Sequence, residues 1–264
     1  MKRRITLAAL VTFGLAPLAV AQDGPGPLTW VALDKTKPGK GMDLVSMTVK
    51  DDGPMYDELL ANGTLQSWGI ALPINHRPGD DSNHVLWATM SDWSKVEGLQ
   101  AGFMKLFASR TPEQSAAMQA AYQETVYEGA HHDWILRQEV YRQGSGDQRP
   151  NYFYIGYYKA KPGMADKLTA LYKSAIQPVY EKLLADGTIT SFGLSTQELH
   201  GDTGWTHIGW YTMSNLGAID TAHAAMMASV SEAQMAEFAP LMEADAHSDQ
   251  VLLIVHLGGA GTEQ

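Results

Sequence analysis

The chain repeats itself, and that repetition limits what it can fold into more than any single motif does. Residues 30–72 align with 154–196 at a constant offset of 124 and without a gap, and 14 of the 43 aligned positions are identical. The first copy carries Lys35-Thr-Lys37-Pro38-Gly39, then Pro54, Tyr56, Leu59-Leu60-Ala61, Gly63-Thr64 and Ser67-Trp68-Gly69. The second carries Lys159-Ala-Lys161-Pro162-Gly163, then Pro178, Tyr180, Leu183-Leu184-Ala185, Gly187-Thr188 and Ser191-Phe192-Gly193. Further on, His84-Val-Leu-Trp87-Ala-Thr89-Met90-Ser91 matches His207-Ile-Gly-Trp210-Tyr-Thr212-Met213-Ser214, and His131-His132-Asp133 matches His247-Ser248-Asp249. Self-similarity at a fixed offset means copies of one supersecondary unit. The polar, Gly- and Pro-containing stretch around 143–151 reads as the linker between a first repeat, 22–142, and a second, 152–264.

The second copy gives the clearer local reading. Tyr152 to Tyr158 is aromatic and β-branched, a strand that stops at Lys-Pro-Gly. Leu168, Leu171, Tyr172, Ala175, Ile176, Val179, Leu183 and Leu184 then recur at three- and four-residue steps, the mark of an amphipathic helix. Pro178 should kink it, because proline donates no hydrogen bond and crowds the preceding turn. Asp186-Gly187 should cap it. Strands are predicted over 188–194, 205–213 and 251–257. A helix is expected from Leu216 through Met227, and another behind a capping box at Ser229-x-x-Glu232. Copy one repeats the order, with Thr111-Pro112-Glu113-Gln114 as its own box.

Each copy therefore reads βαββαβ, a ferredoxin-like α+β unit. Helices would cover one face of each four-stranded sheet and leave the other apolar and bare, which favours two sheets covering one another. Two such units in one chain resemble the dimeric α/β-barrel superfamily in a fused, tandem form. That superfamily includes antibiotic-biosynthesis-type monooxygenases, haem-degrading monooxygenases, chlorite dismutases, muconolactone isomerases and NIPSNAP-like proteins. The resemblance implies an intrachain pseudo-dimer, with sites between each sheet and its helices or inside the barrel. It rests on element order and duplication, and no family-specific catalytic motif accompanies it.

The ends and the composition set the compartment and exclude several functions. Lys2, Arg3 and Arg4 precede an apolar run to Val20, and Ala19-Val20-Ala21 has the form of a signal-peptidase site, so residues 1–21 read as a cleavable signal for export to a periplasm or beyond. Arg3-Arg4 leaves a twin-arginine route open beside the general one. Losing three cations takes the net charge from −10 to −13 (−10 − 3), a surface that repels phosphate backbones and argues against nucleic-acid binding. No basic amphipathic helix or later apolar run suggests a membrane role. With no cysteine, thiol catalysis and thiolate metal sites are excluded. No Walker loop, dinucleotide fingerprint, nucleophile elbow, zinc-protease helix or calcium loop occurs, and the short acidic turns at Asp51-Asp52 and Gly79-Asp80-Asp81 are assigned no ion.

Histidines carry what chemistry the sequence offers. His84 and His207 open equivalent strands and could serve as general bases or ligands inside the barrel, or simply bond loop backbone. Alternation puts His84, Leu86, Ala88 and Met90 on one face and Val85, Trp87 and Thr89 on the other. His131 and His247 each precede an aspartate by two residues, which on a strand shares a face and could tune the imidazole. The same residues also suit a polar helix-to-strand loop. His223 has no counterpart in copy one and reads as a helix-surface residue. Trp68, Trp87, Trp210, Tyr56, Tyr180 and Phe192 could line an apolar ligand pocket or pack a core. Three functional readings follow: an oxidoreductase, haem-linked or cofactor-free, acting on a small apolar molecule; a non-catalytic binding protein for a small hydrophobic ligand or haem; and a scaffold presenting loops to a partner.

Overall fold

The computed structural model describes residues 25–75, 82–145, 148–199, 204–244 and 246–258, so the signal segment 1–21 and the turn Gly79-Asp80-Asp81 lie outside the described residues. Eight strands close into one antiparallel barrel: β1 (Leu28–Thr36), β2 (Ser67–Pro73), β3 (His84–Met90), β4 (Val126–Gln143), β5 (Tyr152–Tyr158), β6 (Ser191–Gln197), β7 (His207–Met213) and β8 (Ser248–Leu257). Around the barrel they run β1-β3-β2-β8-β5-β7-β6-β4. Each half supplies four neighbouring strands, β4-β1-β3-β2 and β8-β5-β7-β6. The halves join at two seams, β2 with β8 and β4 with β6. The bare sheet faces are thus covered by curvature, because closing edge to edge wraps both around one lumen and removes every free strand edge.

Period-two alternation sorts the side chains of each strand. Val31, Leu33, Val85, Ile155, Ile208 and Leu252 point inward. Ala32, Trp68, Ile70, Leu86 and Met90 point out, beneath the helices of the first half. Phe192, Leu194, Tyr211 and Met213 do the same beneath those of the second. Trp68 and Phe192 are fully buried in these outer layers, where burial of each side chain is worth about 1.5–3 kcal/mol. The predicted pocket residues therefore divide: Trp68, Tyr180 and Phe192 pack sheet against helix, Tyr56 packs there and also walls a cleft between the two, and Trp87 and Trp210 face the lumen.

The first helix of each half has the same defect at the same place. In the first half α1 (Gly41–Met47) and α2 (Gly53–Ala61) are joined by the π-turn Thr48–Asp52; in the second, α5 (Ala165–Leu171) and α6 (Gln177–Ala185) are joined by the π-turn Tyr172–Ile176. The Gly53 N–H bonds the Thr48 carbonyl and the Gln177 N–H bonds that of Tyr172, five residues back. One extra residue in the turn accommodates Pro54 and Pro178, so the expected kink is a π-bulge. Gly63 and Gly187, at φ of 75° and 78°, follow the two helix ends.

The second helical regions are α3 (Trp93–Ala108) with α4 (Pro112–Thr125), and α7 (Gly217–Ser229) with α8 (Glu232–Phe238). The Thr111–Gln114 capping box forms. In copy two the box is Ser231–Gln234, not Ser229–Glu232, because α7 runs through Ser229 and leaves Ser231 to cap the next turn. No helix among the described residues is long and apolar enough to cross a membrane.

Candidate functional site

Three strands bring the first-half site together in a single row. Asp34 on β1 lies in register with His84 on β3 and with His131 on β4. Cross-strand neighbours have side chains close enough to interact, and here all three lie on the helix-facing side. His131 Nδ1 is 2.9 Å from Asp34 Oδ1, and Tyr122, from α4, donates to the same oxygen at 2.5 Å. On the other side of the ring, His131 Nε2 is 3.2 Å from Asp133 Oδ2. Asp34 Oδ2 faces His84 Nδ1 at 3.8 Å.

His84 is the unusual member. It is 1% exposed, and neither ring nitrogen has a hydrogen-bond partner among the described residues. A buried polar group without a partner costs about 1–3 kcal/mol, so its presence asks for an explanation. Burial pushes its pKa down to about 4 against the pull of the Asp34 carboxylate, so the ring is neutral at pH 7 and able to accept a proton. His131 is the reverse: hydrogen bonds to Asp133 and Asp34 outweigh its partial burial and raise it to about 10, so it is an imidazolium at pH 7. Burial pushes the Asp34 carboxyl up, but bonds from His131 and Tyr122 more than offset this and keep it ionised. The row is thus a neutral base, a carboxylate and a fixed cation.

The row opens into a cleft of about 640 Å³ between the sheet and the helices, walled by Trp30, Tyr56, Phe103 and Phe107. Its size and apolar walls suit a small molecule with one polar group. The π-turn supplies Thr48, Asp51 and Asp52 to the rim. Burial raises the Asp52 carboxyl, and Arg110 Nη2, at 3.0 Å, partly restores its charge.

The equivalent row in the second half is His207–Tyr158–His247. Tyr158 is in register with His207 and stacks on His247, with ring centroids 4.8 Å apart. Tyrosine stands where the first half has Asp34, and it occupies space created by Gly156 and Gly209, the counterparts of Ala32 and Leu86. A Cβ added at Gly156 would lie 2.9 Å from the Tyr158 hydroxyl, and one at Gly209 3.2 Å from its ring. Tyr172 and Tyr211 replace Thr48 and Ala88 and fill the same layer. His207 is also 1% exposed, but Thr206 Oγ1 sits 2.8 Å from its Nδ1 and Thr169 Oγ1 3.1 Å from its Nε2. The counterpart of Thr169 is Val45, and that of Thr206 is Asn83, whose amide is engaged by Thr36. His247 contacts Asp249 at 3.2 Å.

Several expectations change with these placements. His84 and His207 do not point into the barrel; both face the helices, as the alternation of β3 and β7 requires. His131 lies within β4, because α4 passes directly into that strand with no intervening loop. His223 is exposed on α7, edge-on to Tyr154. Asp34 and Tyr122 escaped the sequence reading. A carboxylate at a helix-facing position of the apolar strand Leu28–Thr36 was the available signal for Asp34. For Tyr122 no signal existed before α4 was docked.

Cofactor capacity can be judged from the same residues. Among the described residues no group of three His, Asp or Glu is placed to hold a metal ion. Haem fits poorly. His207 has both nitrogens occupied, and His84 opens on a cleft whose described lining carries Asp34, Asp51 and Asp52 but no Lys or Arg to meet propionates. The cations beside the cleft are already paired: His131 with Asp34 and Asp133, and Arg110 with Asp52.

No protein-family model matches the chain, and no curated protein matches it. Solved structures do. A Fusobacterium nucleatum protein described as "Putative monooxygenase" superposes with a TM-score of 0.59 at 11% identity, over 89% of this chain and 94% of that one. An "anthrone oxidase-like protein" does so with a TM-score of 0.55 at 11% identity, over 92% and 96%. A chlorite dismutase from Candidatus Nitrospira defluvii reaches 0.47 at 11% identity, over 87% and 91%. At these identities the likeness is one of fold. The chain shares with these structures a mixed α+β fold, built here on a closed eight-stranded antiparallel barrel within a single polypeptide.

Proposed function

We propose that the first-half cleft is the active site of a cofactor-free oxidase or monooxygenase acting on a small, largely aromatic molecule that bears one acidic C–H or O–H. The observation that carries this reading is His84, buried without a partner, 3.8 Å from a carboxylate and facing a cleft of about 640 Å³. His84 accepts the substrate proton at Nε2, and Nδ1 then turns its N–H toward Asp34 Oδ2. A carboxylate behind the imidazole stabilises the imidazolium, as in other base–carboxylate pairs. Tyr122 and His131 hold Asp34 by its other oxygen and leave Oδ2 free for this role. The substrate carbanion or phenolate is electron-rich enough to reduce dioxygen directly. For an anthrone the balance is C14H10O + O2 → C14H8O2 + H2O: the methylene carbon loses two hydrogens and gains one oxygen atom, and the other oxygen leaves as water.

Descriptions attached to proteins of the same fold, "Putative monooxygenase" and "anthrone oxidase-like protein", agree with this chemistry. The βαββαβ order of each half supports reading the molecule as two ferredoxin-like units fused into a pseudo-dimer. The basic and apolar residues 2–20 support export, which would place the reaction in a periplasm. The test is oxygen uptake with 1,8-dihydroxyanthrone. The expected result is turnover that falls about 100-fold or more in His84→Gln and in Asp34→Asn, the scale of a lost general base. Turnover unchanged in both variants would overturn the assignment. Saturable binding of the anthrone without oxygen uptake would leave the cleft as a non-catalytic binding site.

A further inference from the structure

The barrel lumen is separate from this cleft. Its lining alternates with the cleft residues along the same strands, so a strand wall stands between the two spaces. It encloses about 900 Å³. An eight-stranded barrel of this kind ordinarily fills its interior with side chains. Two pseudo-symmetric devices keep this one open. Gly69 is in register with Trp87, and Gly193 with Trp210. A Cβ at Gly69 would come within 2.4 Å of the Trp87 ring, and one at Gly193 within 2.5 Å of Trp210. Each indole therefore lies flat on the neighbouring strand instead of projecting to the barrel axis. This also accounts for the Ser-aromatic-Gly motif in both copies: the aromatic faces the helices and the glycine seats a tryptophan on the lumen wall.

The remaining lining is chemically uniform. At one end Trp134 packs edge-on against Trp205, centroids 4.8 Å apart, with Tyr157 beside it, and these rings form a floor. The polar side chains of the wall bond one another. Thr29 bonds Thr89 at 3.3 Å, Gln138 donates to Thr29 at 2.9 Å, Ser195 donates to Gln138 at 2.8 Å, and the Trp210 indole donates to Ser195 at 3.0 Å. Among the described lining residues there is no Asp, Glu, Lys, Arg or His. An ion placed here would lose its hydration and gain no counter-charge. Gln66, Ser67, Gln143 and Ser191 ring the opposite end, an uncharged mouth.

We propose that the lumen is a second ligand site, independent of the acid–base cleft, which takes a neutral aromatic molecule end-on through the Gln66–Gln143 mouth onto the Trp134 floor. The cavity falls within the range of small-molecule sites, about 300–1,000 Å³, and is walled by flat rings with no charge to satisfy.

The probe is N-phenyl-1-naphthylamine, which is neutral and accepts energy from tryptophan. Titration into the full chain should give saturable tryptophan quenching at one probe per chain. The anionic analogue 1-anilinonaphthalene-8-sulfonate should bind at least about tenfold more weakly, a difference of about 1.4 kcal/mol. Ile155→Trp, which fills the lumen, and Gln143→Trp, which narrows the mouth at an exposed position, should each weaken the neutral probe about tenfold or more. Gln143→Trp tests the site even where the core variant fails to fold. His84→Gln and Tyr122→Phe should leave binding unchanged, so loss of anthrone oxidation and loss of probe binding separate the two sites. Absence of saturable binding, indifference to Gln143→Trp, or loss of binding in His84→Gln would overturn the proposal.

Discussion

The two clefts start from the same row of three strands and end with opposite characters. In the first half the row is His84–Asp34–His131, and in the second it is His207–Tyr158–His247. A carboxylate at the centre draws in Tyr122, holds His131 as a cation and leaves an open cleft. A tyrosine at the centre, seated over Gly156 and Gly209, closes the space with rings. His84 and His207 are equally buried, yet one has no hydrogen-bond partner and the other has two threonines. What separates a candidate site from a packed layer is therefore a few exchanges around a shared histidine. Duplication allows this, because the closed barrel needs the sheet of each half but not both clefts.

The two histidines should differ most at acid pH. His84 is neutral in the folded protein, with a pKa near 4 against 6.5 when unfolded, so below pH 6.5 the unfolded chain binds a proton that the folded chain does not. Stability attributable to this group is intact above pH 6.5 and falls as pH drops toward 4, by about 3 kcal/mol at the low end. Urea midpoints measured from pH 7 to pH 4 should show the loss, and His84→Leu should remove that part of it.

Next in size is the contrast between the histidines at neutral pH. His207→Leu removes the bonds to Thr169 and Thr206 and should cost about 2 kcal/mol. His84→Leu removes an unpartnered polar group and should be neutral or stabilising by about 1 kcal/mol. Equal losses in the two variants would dissolve the distinction between the clefts. The smallest effect sharpens it: Val45→Thr gives His84 the partner that His207 has in Thr169, and should change stability by less than about 1 kcal/mol while weakening anthrone turnover. On the alkaline side, the His131 imidazolium adds stability that is present below pH 6.5 and is lost as pH rises through about 10. A carbon-bound ring proton of His131 followed by NMR should titrate near that value, and in Asp133→Asn it should move down.

Much of the fold was legible because its signals are local. The strand Tyr152–Tyr158 ends where Lys-Pro-Gly said it would, and the Thr111 box caps α4. The alternation of β3 separates His84 from Trp87 as period two demands. Ser229 misled because the motif's spacing matched while the helix ran two residues further. The site was half legible. The histidines stood out by repetition, but Asp34 is a single carboxylate in an apolar strand, and Tyr122 lies 88 residues from it in the chain.

The duplication, the order of elements in each copy and the alternation that sorts a strand's residues into two sets can be read from the chain alone, because backbone periodicity and turn chemistry act over a few residues. Only the tertiary structure decided that the two sheets close edge to edge, that Gly69 and Gly193 hold a lumen open, and that one histidine is left without a partner while its twin is bonded twice. Those outcomes depend on cross-strand register and on which side chains fill a shared space, and both are settled by packing between residues far apart in the chain.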